Sequence, residues 1–276
     1  MVLSRAVLLA GLALVLAACS RPMPAPPEPL PVPASVDTVA VVLEPIPPPV
    51  VEVDTVVAEP EVPPEILLLG RVFEAMGGRE AWREVSAYAT EGTYSASTRI
   101  GQTTINTRSL VAGLRRIRAE QSTPVGDVLA LVNGTEGTLF VDGDRGAYGE
   151  VFATGVVTQV LFSLPFVLLN ADSLTFSREP ESPGGLAVLR YEAPGIDAVY
   201  RMHVGADGRP IEIVSTQPGP VGPTTVTHRF FRFEEVDGRL VPGTVQQLAD
   251  GRVTGTTEIT RFTVNPEVPP GTFAGG

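Results

Sequence analysis

Fourteen of the chain's 27 prolines fall within residues 22–64, a span with seven acids and no basic residue. Proline fixes φ and removes an amide donor, so neither a helix nor a central strand can form there. The expected state is a self-repelling linker rich in polyproline II. Fully stretched at ~3.1 Å per residue it reaches on the order of 130 Å, and as a flexible coil ~40 Å. Two Val-rich pieces, Val39 to Leu43 and Val50 to Val57, leave two readings open: a plain spacer, or short strands that add to a partner's sheet. Any packed core has to come from residues 65–276.

Ahead of the linker, residues 1–19 read MVLSRAVLLAGLALVLAAC. Arg5 supplies a positive start, and Val7 to Leu16 is an apolar stretch too short to span a bilayer comfortably. Leu16-Ala17-Ala18-Cys19 resembles a bacterial lipobox, and Cys19 is the only cysteine in the chain. That resemblance implies a signal peptide over 1–18, cleavage before Cys19, and acylation of its thiol and of the new amino terminus. The other reading is an ordinary secretory signal with a chance cysteine near the cut. Two or three acyl chains hold a protein to a membrane effectively for good, each buried CH₂ contributing ~0.8 kcal/mol. By the sorting rule that accompanies the motif, Ser20 rather than Asp points to the outer membrane, facing the periplasm.

Residues 65–276 read as one β-rich domain. Leu67, Leu68, Val72, Phe73 and Met76 recur at helical spacing after Pro63-Pro64, and Gly77-Gly78 ends that helix. A second short helix is expected over Arg79 to Glu84, carrying Trp82. From Ala87 the period changes to two. Strands are expected near 88–97, 103–111, 114–121, 128–132, 138–142 and 145–149. More are expected near 172–178, 186–192, 197–204, 210–217, 224–235, 240–248 and 252–264. Asp142-Gly143, Asp207-Gly208, Asp237-Gly238 and Asp250-Gly251 are hairpin signals between alternating runs. The expected fold is mainly β with few helices: a large curved antiparallel sheet, an incomplete β-barrel of about eleven or more strands, covered by one or two helices.

One segment breaks the alternation. Residues 153–170, ATGVVTQVLFSLPFVLLN, space Val156, Val157, Val160, Leu161 and Leu164 helically, yet Phe162, Phe166, Val167, Leu168 and Leu169 make them apolar nearly all round. Such a helix must be buried, and Pro165 kinks or ends it. It is expected either to plug the concave face of the sheet or to form a lid over a greasy cavity.

Composition removes whole classes of chemistry. The net charge is −11, which argues against a nucleic-acid partner. All twenty basic residues are arginine, so no lysine can serve a P-loop, a Schiff base or general-base catalysis. One cysteine excludes disulfides within the chain and all-cysteine metal sites. His203 and His228 are the only histidines, each in an expected strand, and are read as satisfied or solvent-facing. Asp142 with Asp144 flanks a hairpin glycine, where such residues serve the turn, and Glu234 with Glu235 has no measured separation to make it a dyad. No catalytic residue, metal site or cofactor is expected. Arg116 and Arg118 share one strand face, either a solvated one or one that contacts a phosphate headgroup. Trp82, Phe140, Phe162, Phe166 and Phe231 are the large apolar candidates for lining a cavity, beside plain core roles, together with Val160, Leu161 and Leu164.

Three passages carry a family resemblance. Phe73-Glu74-Ala75-Met76-Gly77-Gly78-Arg79-Glu80-Ala81-Trp82, running into Val85-Ser86-Ala87-Tyr88 and Glu91-Gly92, resembles the entry helix and first strand of bacterial outer-membrane lipoprotein-sorting proteins. Residues 231–242, FRFEEVDGRLVP, are similar to their late hairpin, and residues 264–273, VNPEVPPGTF, to their ending. The resemblance implies the fold of the Lol lipoprotein carrier and receptor, an incomplete antiparallel barrel whose helices close a hydrophobic cavity for acyl chains. The expected function is a non-catalytic, lipid-anchored protein that holds a lipid or lipoprotein acyl chain between sheet and helix. The alternative is an envelope interaction protein with a filled barrel, its protein partner unknown. A hydrolase is a distant third.

Overall fold

The computed structural model describes residues 62–98, 101–123, 126–219 and 222–275. The expected signal peptide, Cys19 and most of the proline-rich span lie outside the described residues.

Two helices open the domain: α1 (Pro64–Ala75) and α2 (Arg79–Arg83). Pro64 occupies the first turn of α1, where its missing amide costs nothing. Leu68, Leu69, Val72 and Phe73 form the buried stripe. Between the helices Gly77 has φ 105°, and a Cβ there would sit 2.2 Å from the Gly238 carbonyl oxygen, so this turn packs directly on another backbone. The Met76 carbonyl accepts from the Leu240 amide (3.1 Å) and from the Trp82 indole (2.8 Å).

Thirteen strands follow: β1 (Tyr88–Thr98), β2 (Gly101–Val111), β3 (Arg116–Thr123), β4 (Gly126–Asn133), β5 (Glu136–Val141) and β6 (Asp144–Ala147) before the helical interruption. After it come β7 (Thr175–Glu179), β8 (Ala187–Glu192), β9 (Tyr200–Val204), β10 (Pro210–Gly219), β11 (Gly222–Val236), β12 (Arg239–Ala249) and β13 (Arg252–Val264). They form a single antiparallel sheet in the order β6-β5-β4-β3-β2-β1-β13-β12-β11-β10-β9-β8-β7. Each half is a meander, and β1 pairs with β13 to join them. The hairpin dipeptides sit where alternation placed them: Asp142, Asp237 and Asp250 take positive φ with the glycine that follows each. At Asp207-Gly208 only the glycine does.

The interruption is α3 (Gly149–Val160), a three-residue break, and α4 (Leu164–Leu169), followed by a 3₁₀ turn over Ala171–Ser173. Pro165 lies in the first turn of α4, so it starts the second helix rather than bending the first. The segment connects β6 to β7, which are consecutive in the chain but stand at opposite edges of the sheet.

That crossing requires curvature. Ala153 of α3 packs against Gly137 of β5, where any side chain would strike the helix. Thr158, about 8 Å further along the same helix, accepts a hydrogen bond from Tyr200 of β9. In a flat sheet β5 and β9, nine strand spacings apart, would be about 43 Å distant. The sheet therefore curls around the helical segment as an unclosed barrel, and the core lies between its inner face and the helices. On the outer face the C-terminal residues fold back, with Phe273 packed on Ala87 and Ala112.

Candidate ligand-binding cleft

The covering segment is bonded to the sheet at its break. Tyr191 of β8 donates to the Leu161 carbonyl at 2.6 Å, and Tyr200 of β9 donates to the Thr158 carbonyl at 2.8 Å. The Tyr88 hydroxyl of β1 lies 3.3 Å from Ser163 Oγ. The last turn of a helix leaves carbonyls without partners, and here the strands supply them. Burial pushes all three phenol pKa values up, so these hydroxyls stay protonated, Tyr191 and Tyr200 as donors.

Beside this break is a partly open cleft of about 250 Å³. Val160, Phe162, Leu164 and Pro165 form its roof. Tyr88, Val111, Phe230, Val245 and Ile259 form an apolar floor across β1, β2 and β11 to β13, and Thr90, Thr107, Thr257 and Glu91 add polar groups. A larger depression of about 400 Å³ lies among Asn106, Arg108, Glu120 and Ser122. It is a polar groove on the outer face and offers nothing to an apolar ligand.

Three of the residues picked out from sequence, Val160, Phe162 and Leu164, meet in the cleft. Leu161 and Phe166 point into the core and are fully buried. Trp82 is buried at the α1–α2 corner, where its indole caps the Met76 carbonyl, and is absent from the cleft lining. Phe140 sits on the outer face with Arg118, Glu120 and Leu129, because Leu139 takes the inner position. Phe231 is 46% exposed while Phe230 turns inward. Arg116 lies 6.0 Å from the Phe273 ring and donates to the Ala112 carbonyl. Arg118 pairs with Glu120 at 2.6 Å and reaches the Thr272 carbonyl. Phe140 and Phe231 thus stand on the outer face and not in the cleft, a correction to their reading as cavity lining, and Arg116 and Arg118 share that outer face, as their alternation predicts.

The sequence reading did not single out the three tyrosines for this role, and it placed His228 differently. His203 is satisfied by Glu212 at 2.9 Å. His228, expected to be satisfied or solvent-facing, lines the cleft with its ring stacked on Phe162, centroids 4.5 Å apart, and its Nε2 buried without a partner. Burial lowers its pKa to about 4. The period-two alternation of β11, which puts His228 on the same face as Val226 and Phe230, was the available signal.

Neither a protein-family model nor a curated protein sequence matches the chain. Solved structures do. A DUF1329 family protein from Desulfovibrio piger superposes with a TM-score of 0.51 at 9% identity, over 77% of this chain and 98% of that one. A putative outer-membrane lipoprotein-sorting domain from Vibrio parahaemolyticus gives 0.49 at 10% identity over 71% and 93%. A LolA superfamily protein from Nitrosomonas europaea gives 0.49 at 12% identity over 73% and 95%. The structural neighbours are lipoprotein-sorting, LolA-superfamily and DUF1329 proteins. At such identities the likeness speaks for the fold alone.

Proposed function

We propose that this protein is a lipid-anchored, periplasm-facing lipoprotein that binds a hydrophobic or acylated ligand, without catalysis, in the cleft beneath the α3–α4 break. The observation that carries this reading is the cleft itself, apolar on both roof and floor and open to solvent on one side. Binding needs no covalent step: each methylene moved from water onto these surfaces contributes ~0.8 kcal/mol. At about 250 Å³ the cleft is slightly below the common range of about 300–1,000 Å³ for ligand pockets. It receives part of an acyl chain as it stands and more when the break lifts.

The rival reading, an envelope interaction protein with a filled barrel, draws on the complete burial of Leu161, Leu164 and Phe166. Gentle purification followed by extraction and mass spectrometry separates the two. A bound lipid is expected, and Val160→Asp is expected to weaken binding of a fluorescent acyl probe at least about tenfold by placing a charge in the roof. Protein free of lipid that also fails to bind the probe would leave the filled-barrel reading standing.

A further inference from the structure

Three polar atoms are buried without a hydrogen-bond partner on the inner face of β10 and β11: Ser215 Oγ, Gln217 Nε2 and His228 Nε2. They form one patch. Ser215 and Gln217 alternate along β10, and His228 stands on β11 opposite Ile213, diagonal to Ser215. Gln217 Oε1 accepts from Gln159 at 3.3 Å, whereas its Nε2 approaches the Tyr200 hydroxyl without closing a good bond. Burying polar atoms unpaired is costly, so a cluster of them asks for a partner.

The patch borders the cleft through His228 and Gln159. Phe162 stacks on His228 and meets Tyr200 edge-on, with centroids 5.2 Å apart, so its ring stands over the patch, and turning it aside would open a polar recess beside the cleft. Among the described residues no arginine lines the cleft, and its one acidic residue, Glu91, is already paired with Arg108 at 3.4 Å. An anionic ligand group would find no counter-charge there.

We propose that the recess receives the uncharged carbonyl of an acyl ester or amide whose chain lies in the cleft, a specificity that rests on the acyl-binding reading above. The Ser215 hydroxyl and the Gln217 amide donate to that oxygen. Neutral His228 adds a donor, or accepts from a ligand hydroxyl, according to its tautomer. Phe162 turns aside to admit the group. A bare hydrocarbon leaves the three atoms unpaired, and a carboxylate brings an uncompensated charge beside Glu91.

The test uses the purified full-length protein and three probes of one chain length: a monoacylglycerol, its alkyl-ether analogue and the free fatty acid. The ester is expected to bind about threefold to tenfold more tightly than the ether, the worth of one ordinary hydrogen bond, with the fatty acid weakest at neutral pH. Ser215→Ala should bring the ester down to the ether's affinity and leave the ether unchanged. Because it removes an unpaired hydroxyl, Ser215→Ala should not lower the Tm of the ligand-free protein. Equal binding of ester and ether by the unaltered protein would overturn the proposal, the recess then holding only water. So would a lowered Tm for Ser215→Ala, or preference for the fatty acid. Failure of the ether as well as the ester would instead bring down the acyl-binding reading itself.

Discussion

His228 and Glu212 sit on neighbouring strands and make stability depend on acid in two separate windows. His228 titrates near 4 in the folded protein against 6.5 when free of its surroundings. Below pH 6.5 the unfolded chain therefore takes up a proton that the folded protein refuses, and stability falls as the pH drops toward 4. Glu212 accepts from His203 at 2.9 Å and from Arg229 at 2.7 Å, which hold its pKa at about 2 against an ordinary 4.5. Its contribution is present above pH 4.5 and lost as the pH falls toward 2. His228→Phe keeps a ring against Phe162 and removes the first window. Thermal melts across pH are expected to show the unaltered protein weakening from pH 6.5 downward and the variant holding until about 4.5. Identical profiles would refute the burial argument for His228. At this scale the sequence was only partly legible. Leu139-Phe140 and Phe230-Phe231 are each two adjacent apolar residues, and alternation cannot say which of the two turns inward. Pairing with neighbouring strands decides it, and that information is not local.

Among the elements, the strands and turns were the most readable part. Period-two runs located all thirteen strands, and Asp-Gly dipeptides marked four of the hairpins, because such a turn is specified by residues adjacent in sequence. The all-round apolar segment was correctly read as buried. Its attachment was not readable, since a tyrosine hydroxyl on β8 or β9 that bonds a carbonyl of the cover thirty or more residues away leaves no trace in periodicity. Those bonds set how firmly the cover is held. Tyr191→Phe leaves the ring stack on Tyr200 (5.2 Å) in place and removes only the bond to Leu161. It should cost about 1–2 kcal/mol. Hydrogen exchange is expected to quicken at residues 158–165 in the Tyr191→Phe, Tyr200→Phe double variant, with the amides of β11 and β12 unchanged. Uniform quickening across the sheet would show that the tyrosines support the whole fold rather than the cover.

Over the whole chain, the strand order was the least legible feature: nothing in residues 144–179 announces that β6 and β7 lie at opposite edges. The proposed anchor makes its own prediction at this scale. Cys19→Ser removes the proposed acylation thiol and should move the protein from the membrane fraction to the soluble periplasmic fraction, while the purified domain keeps the Tm of the unaltered protein. Retention in the membrane would mean that another part of the chain binds it. The crossing from edge to edge carries a mechanical consequence. The cover is spliced into the chain only at its two ends, and every β-ladder belongs to the strands themselves. Swinging it outward would break the three tyrosine bonds and the Gln159–Gln217 bond and uncover the fully buried Leu161, Phe162, Leu164 and Phe166, yet would unzip no strand pair, so the proposed guest could enter without any strand leaving the sheet.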